Sequence, residues 1–219
     1  MKYIPILLNS EMVNAILQGK KTQTRRIVRN DVLKQRPNNS VGEDEKGFYF
    51  NLGGTRFYQL QPKANIGDVF WVREGWTTES SYDATKPSLI PKDALIFYIA
   101  DEEWDYYALP GKKRPSIFMP KWVCRLFLEV TDVRLERLQD ISYKDARSEG
   151  IKKMYPNKES GKLFRRYFNY HTSDYTCISS ILSFKSLWQS INGKNSWYKN
   201  PYVWVYEFKV VEKPENFGK

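Results

Sequence analysis

The stretch Gly19-Lys20-Lys21-Thr22-Gln23-Thr24-Arg25-Arg26 holds four cations and two hydroxyls with no acid to balance them. Hydrolysis of an amide needs a nucleophile, a proton acceptor and positive charge where the oxyanion develops. Thr24 offers the hydroxyl. Lys21, if desolvated beside Arg25 or Arg26, has its pKa lowered and can act as the base. Two carboxylates could complete such a site. Glu149 falls in the last turn of a short helix, where the helix dipole disfavours a carboxylate by up to about 1 kcal/mol, so it needs a cationic partner or a purpose. Glu74 closes the run Val69-Phe70-Trp71-Val72-Arg73-Glu74 and shares a face with Phe70 and Val72. That places a carboxylate at the end of an inward face, where it must be paired, with Arg25 or Arg26 available.

Structural alternatives stand beside each of these. Lys21 and Glu149 could form a surface ion pair worth about 0 to 1 kcal/mol, Thr24 could be an ordinary strand residue, and Glu74 half of a buried structural pair. In a regular strand Lys21 and Thr24 face opposite sides, so a shared site requires a bend at Thr22 or Gln23.

A net charge of +10 favours polyanions as partners over acidic proteins. Lys20, Lys21, Arg25, Arg26 and Arg29 can meet phosphates. Further along, Lys152, Lys153, Lys162, Arg165 and Arg166 lie among Tyr155, Phe164, Tyr167 and Phe168, where stacked bases would contribute about 1 to 3 kcal/mol each. A solvated basic loop over buried aromatics is the alternative. The single histidine, His171, leaves little room for a His-based triad or metal site, and Cys124 and Cys177 read as two reduced thiols. No metal or organic cofactor is implied. No apolar run approaches the roughly 20 residues of a membrane helix, and the opening MKYIPILLNSEM turns polar too soon for a signal peptide. A cytoplasmic protein without a membrane partner is expected.

The elements that would position these residues follow from local signals. Ser10 caps a first helix with the stripe Val13, Ile16, Leu17 and a stop at Gly19. VFWVREGW reads as a strand, ALIFYIAD as another, and KWVCRLFLEVTDVRLERL as a long strand bending near Asp132. Ser142 caps a second helix, with Asp145 as capping-box partner and Gly150 as the stop. A third helix runs from a Ser183 cap through Phe184, Leu187, Trp188 and Ile191 to Gly193, and PYVWVYEFKVV is a strand before a frayed polar tail. Trp188, Trp197, Tyr202 and Trp204 read as core. The order fits one mixed α+β domain over residues 1–219, built around a small barrel. Its core is about 1–30, 66–77, 116–151 and 184–211, and its insertions are about 31–65, 78–115 and 152–183, the first with one hairpin around Phe48 to Phe57 and little core.

Four pieces, ILQGKKTQTRR, IGDVFWVREGW, LERLQDISYKDARSEGI and LWQSINGKNSWYKNPYVWVYEF, cover a little under a third of the chain. Together they resemble the ASCH family of the PUA-like superfamily, in the longer form met in phages and prophages. The resemblance implies a small β-barrel of six or so strands with flanking helices, and a cleft whose floor carries the motif residues. Small bacterial members are amidohydrolases that remove the acetyl group from N(4)-acetylcytidine; their lysine, threonine and glutamate correspond here to Lys21, Thr24 and Glu149. Other members bind or cleave RNA, so the implied partner is RNA or a modified nucleoside. This chain is much longer than those amidohydrolases, and Gln23 stands where the family pattern has an apolar residue.

Overall fold

The computed structural model describes residues 1–29, 40–45, 47–53, 56–101, 110–154, 166–215 and 217–218. They pack as two compact units, each assembled from separate stretches of chain. The first comprises Met1–Gly19, Ile66–Thr131 and Phe208–Lys219; the second comprises Lys20–Asn65 and Asp132–Glu207.

In the first unit, β1 (Tyr3–Leu7) alternates exposed and buried residues, with Ile4 and Ile6 inward. It pairs in parallel with β6 (Val69–Arg73), which pairs antiparallel with the start of β9 (Phe127–Arg137). Held between two neighbours, β6 buries Val69, Phe70, Trp71 and Val72 on both faces rather than on one. β9 starts at Phe127 and not at Lys121, because Lys121–Val123 forms a single 3-10 turn after Pro120. β7 (Trp76–Thr78) and β8 (Ile96–Tyr98) make a separate hairpin. Helix α1 (Ser10–Leu17) is capped by Asn9, whose side chain accepts from the Met12 N–H, and not by Ser10. The tail expected to fray instead buries Phe217, whose ring lies 4.8 Å from Phe127, 5.4 Å from Tyr3 and 5.7 Å from Trp71.

In the second unit the row is the end of β9, then β13 (Tyr202–Val211), then β2 (Gln23–Ile27), with β2 antiparallel to β13. α2 (Tyr143–Ser148) and α3 (Ser180–Asn192) supply Ala146, Phe184, Leu187 and Trp188 to a core shared with Leu138, Ile141, Trp197, Val203 and Val205. Ser142 caps α2 as expected, accepting from Asp145 N–H at 3.0 Å and donating to its carboxylate at 2.7 Å. α3 begins one turn earlier than expected, under a Ser179 cap; Ser183 lies inside it and donates to the Phe168 carbonyl.

Neither row closes on itself: β1 ends one and β2 the other. Closure requires the terminal strands to pair, so the expected barrel gives way, among the described residues, to open sheets with three α-helices. The stretches read as insertions also contribute more than expected. β3 (Val41–Asp44), β4 (Gly47–Gly53) and β5 (Arg56–Gln59) form a meander that buries Phe50, followed by buried Leu60 and Ala64. β10 (Lys153–Met154), β11 (Arg166–Asn169) and β12 (Asp174–Cys177) form another, with Tyr167 and Cys177 in the core of the second unit.

Phe50 is 0% exposed, so Phe50→Ala should cost about 3 to 5 kcal/mol in denaturant unfolding. A loss under about 0.5 kcal/mol, the level of a surface change, would return this meander to the status of an appendage.

Candidate functional site

Lys21, Gln23, Thr24 and Arg25 are buried in succession at the entry to β2, at 2%, 1%, 3% and 4% exposure. Lys21 precedes the strand and forms an isolated bridge with Glu149; Thr22 is exposed and donates its N–H to the Ser148 carbonyl. Regular strand geometry thus starts only after Thr22, at the place where a shared site for Lys21 and Thr24 requires a departure from it.

Glu149 follows the last residue of α2, and Gly150 takes the left-handed φ of 83° that turns the chain away. Its carboxylate sits between two cations. Oε2 lies 2.9 Å from Lys21 Nζ, and Oε1 accepts from an Arg25 terminal nitrogen at 3.0 Å. Lys21 Nζ also donates to the Glu149 backbone carbonyl at 3.0 Å. The carboxylate exposed to the wrong end of the helix dipole has therefore found the partners it requires.

One carboxylate between two cations leaves a positive charge in excess. Arg25 shares it with Glu136 at 3.1 Å and Asp145 at 3.7 Å, carboxylates about a fifth exposed, while Phe184 presents its ring at 5.9 Å. Arg134 holds Glu136 at 2.9 Å in turn. The excess bears on Lys21 as well. Burial lowers its pKa from the usual 10.5; Glu149 opposes this, and Arg26 and Arg25 reinforce it. Gln23, the departure from the family pattern, donates to the Asp145 carbonyl at 3.0 Å, so its burial leaves the amide nitrogen satisfied.

Thr24 and Arg26 alternate with Arg25 along β2 and share the other face. Tyr206, 1% exposed, lies opposite Thr24, and Trp204 opposite Arg26. Burial lowers the pKa of Arg26, against the pull of Glu149 and Tyr206, yet a guanidinium remains charged. Tyr206 is the residue that the sequence reading overlooked: only the β2–β13 register reveals it, and its hydroxyl accepts from the Lys63 N–H at 3.0 Å.

The other expected site residues are dispersed. Lys20 and Arg29 are exposed on either side of β2, and Arg166 is half-buried on β11. Lys162, Arg165, Tyr155 and Phe164 lie outside the described residues. Glu74, in the first unit, is buried as expected, but its partner is Arg125 and not Arg25 or Arg26. Arg125 holds both carboxylate oxygens at 3.0 Å, grips Asp101 at 2.8 Å and stacks 3.8 Å over the Tyr98 ring. Burial raises the Glu74 pKa against the pull of Arg125. Among the described residues no group of three or more His, Cys, Asp or Glu could hold a metal ion, and no helix is long and apolar enough to cross a membrane.

No protein-family model and no curated protein matches the chain. Two solved structures are similar to it over 97% of its length. One is a crystal structure of an Enterococcus faecalis protein of the DUF984 family, at 9% identity and a TM-score of 0.41 over 77% of that chain. The other is an ASCH domain from Lactobacillus crispatus, at 12% identity and a TM-score of 0.34 over 81% of that chain.

Two measurements check the buried network. Glu149→Gln removes the charge that Lys21 and Arg25 share, and should cost about 3 to 5 kcal/mol; adding Lys21→Met should recover part of that loss. The pH dependence has a definite sign. Between its lowered folded pKa and 10.5, Lys21 binds more protons in the unfolded chain, so its contribution to stability grows as pH rises. The stability advantage of the wild type over Lys21→Met should therefore increase from neutral pH towards 10.5. An advantage that shrinks would mean that Lys21 is held as a full cation.

Proposed function

We propose that this chain is an ASCH-type protein that binds a nucleoside or RNA through the second unit, and that it hydrolyses the amide of an N(4)-acylated cytidine. The observation that carries this reading is the buried Lys21 amine, fixed by two oxygens of Glu149 and depressed in pKa by burial. A structural cation gains nothing from easy deprotonation; a general base does. The motif resemblance, which aligns Lys21, Thr24 and Glu149 with the family's catalytic set, points the same way.

In this reading neutral Lys21 takes the proton of the Thr24 hydroxyl as that oxygen adds to the amide carbonyl. Arg26, on the Thr24 face of β2, stabilises the oxyanion. Lys21 then returns the proton to the departing exocyclic amine of cytidine, and water releases the acyl group from Thr24 by the same steps in reverse. Glu149 orients the amine, and Arg25 with Glu136 behind it keeps Glu149 in place. Glu74, proposed from sequence as a substrate contact, is paired with Arg125, which also holds Asp101.

Purified protein should release cytidine from N(4)-acetylcytidine, followed by chromatography. Lys21→Met and Thr24→Val, checked for folding by circular dichroism, should lose about a hundredfold or more of the rate. A wild-type protein that leaves the substrate intact at stoichiometric concentration would remove this reaction.

A second reading, RNA binding without chemistry, is favoured by a separate observation. Lys152 Nζ sits 4.9 Å from the centre of the Phe168 ring, which meets Tyr170 and Tyr175 edge-on at 5.0 and 5.3 Å. Arg166 lies two residues from Phe168 on β11, and Lys162 and Arg165 belong to the same basic segment. Phe168→Ala should weaken single-stranded RNA binding by about 1 to 3 kcal/mol, and affinity should fall steeply with salt. Salt-insensitive binding that survives Phe168→Ala would contradict an RNA surface on this sheet.

A further inference from the structure

Behind Lys21 and Glu149, side-chain contacts within the second unit continue towards the surface as a chain of alternating charge. Arg25 Nη1 donates to Glu149 Oε1 at 3.0 Å, and its Nη2 donates to Glu136 Oε2 at 3.1 Å. The other oxygen of Glu136 accepts from Arg134 Nε at 2.9 Å. Asp145 runs parallel to Glu136, at 3.7 Å from both Arg25 and Arg134. Arg134 also holds Asp132 at 2.7 Å and Glu207 on β13. Exposure grows outwards along this chain: the Lys21 and Arg25 side chains are at 0%, Glu149 at 4%, Glu136 at 22% and Arg134 at 33%. The two outermost members stand two residues apart at the end of β9.

We propose that Glu136 and Arg134 are positioning residues for Lys21: acting through Arg25 and Glu149, their charges set how readily the buried amine gives up its proton. This deepens the reading of Lys21 as a base and rests on it for any effect on catalysis. Glu149 is shared by Lys21 and Arg25, so a carboxylate that takes up the charge of Arg25 leaves Glu149 freer to hold an ammonium. Glu136 is such a carboxylate, and it favours the charged form of Lys21. Arg134 offsets Glu136 from the other side, together with Asp132, Asp145 and Glu207 around it, and favours the neutral amine. Arg25 and Glu149 lie out of water between the two ends, so solvent screens the outer charges only in part. Lys21 itself faces Glu149, Arg25 and Arg26, and burial with the two arginines already lowers its pKa against the pull of Glu149.

Carbon NMR of labelled lysine side chains, with Lys21→Met to assign the signal, reads this coupling directly. Glu136→Gln should lower the Lys21 midpoint and Arg134→Gln should raise it, each by about half a pH unit or more. Arg134→Lys keeps the charge but loses the fork of hydrogen bonds, and should leave the midpoint close to that of the wild type. Circular dichroism and urea unfolding check that each variant is folded. If Arg134 only braced the strands, Lys and Gln at that position would lower stability alike and the midpoint would not follow their charge. Midpoints unmoved in both Gln variants, or moved in the same direction, overturn the coupling. Opposite shifts uphold it wherever the wild-type midpoint lies, whereas a protein that leaves N(4)-acetylcytidine intact removes the catalytic reading without touching this titration.

Discussion

Everything near the candidate site depends on one carboxylate, Glu149, held between Lys21 and Arg25 out of contact with water. Desolvating a carboxylate costs several kcal/mol, so Glu149 stays buried only with its cationic partners in place. That requirement fixes β2 against the end of α2: the Thr22 N–H to Ser148 carbonyl bond of 2.9 Å and the Lys21–Glu149 side-chain contact of 2.9 Å join the same two segments. Gly150, at positive φ, ends α2 directly after Glu149.

The electrostatic balance around this carboxylate is graded from inside to outside. Fully buried Arg25 is served by Glu149 within and by Glu136 and Asp145 nearer the surface, and Arg134 ties Glu136 in turn. Lys21 has Glu149 on the inside and the repulsion of Arg25 and Arg26 beside it. The excess of positive charge acts locally: Arg26 and Arg25 lower the Lys21 pKa further than burial alone does.

Local features were legible in the sequence and long-range pairings were not. The Ser142 cap, its Asp145 partner and the Gly150 stop of α2 are spelled out within nine residues, and the structure keeps them all. Glu149 needing a cation follows from the helix dipole alone. That the cation is Lys21, 128 residues away, came from the family resemblance and not from spacing. Glu74 shows the opposite outcome: its burial was readable from alternation, but Arg125, 51 residues on, could not be told from Arg25 or Arg26 as its partner. Open sheets replace the expected barrel because strand alternation reports which face is buried and not which strands pair. Phe50 was missed because its run Phe48-Tyr49-Phe50 stands between polar, turn-rich segments, and Phe217 because it is a single aromatic residue in a polar tail. Asn9 and Ser10, like Ser179 and Ser183, are equally good caps on residue type, and only the backbone angles decide between them.

The most direct test of a desolvated, readily deprotonated Lys21 is its own titration in the folded protein. Selective carbon labelling of the lysine side chains, with Lys21→Met to assign the signal, would follow Lys21 by NMR as pH rises. A midpoint below the usual 10.5, moving lower still in Glu149→Gln, is the expected result. A midpoint at or above 10.5 in the folded wild type would make the pair a structural ion bridge and remove the base from the proposed chemistry.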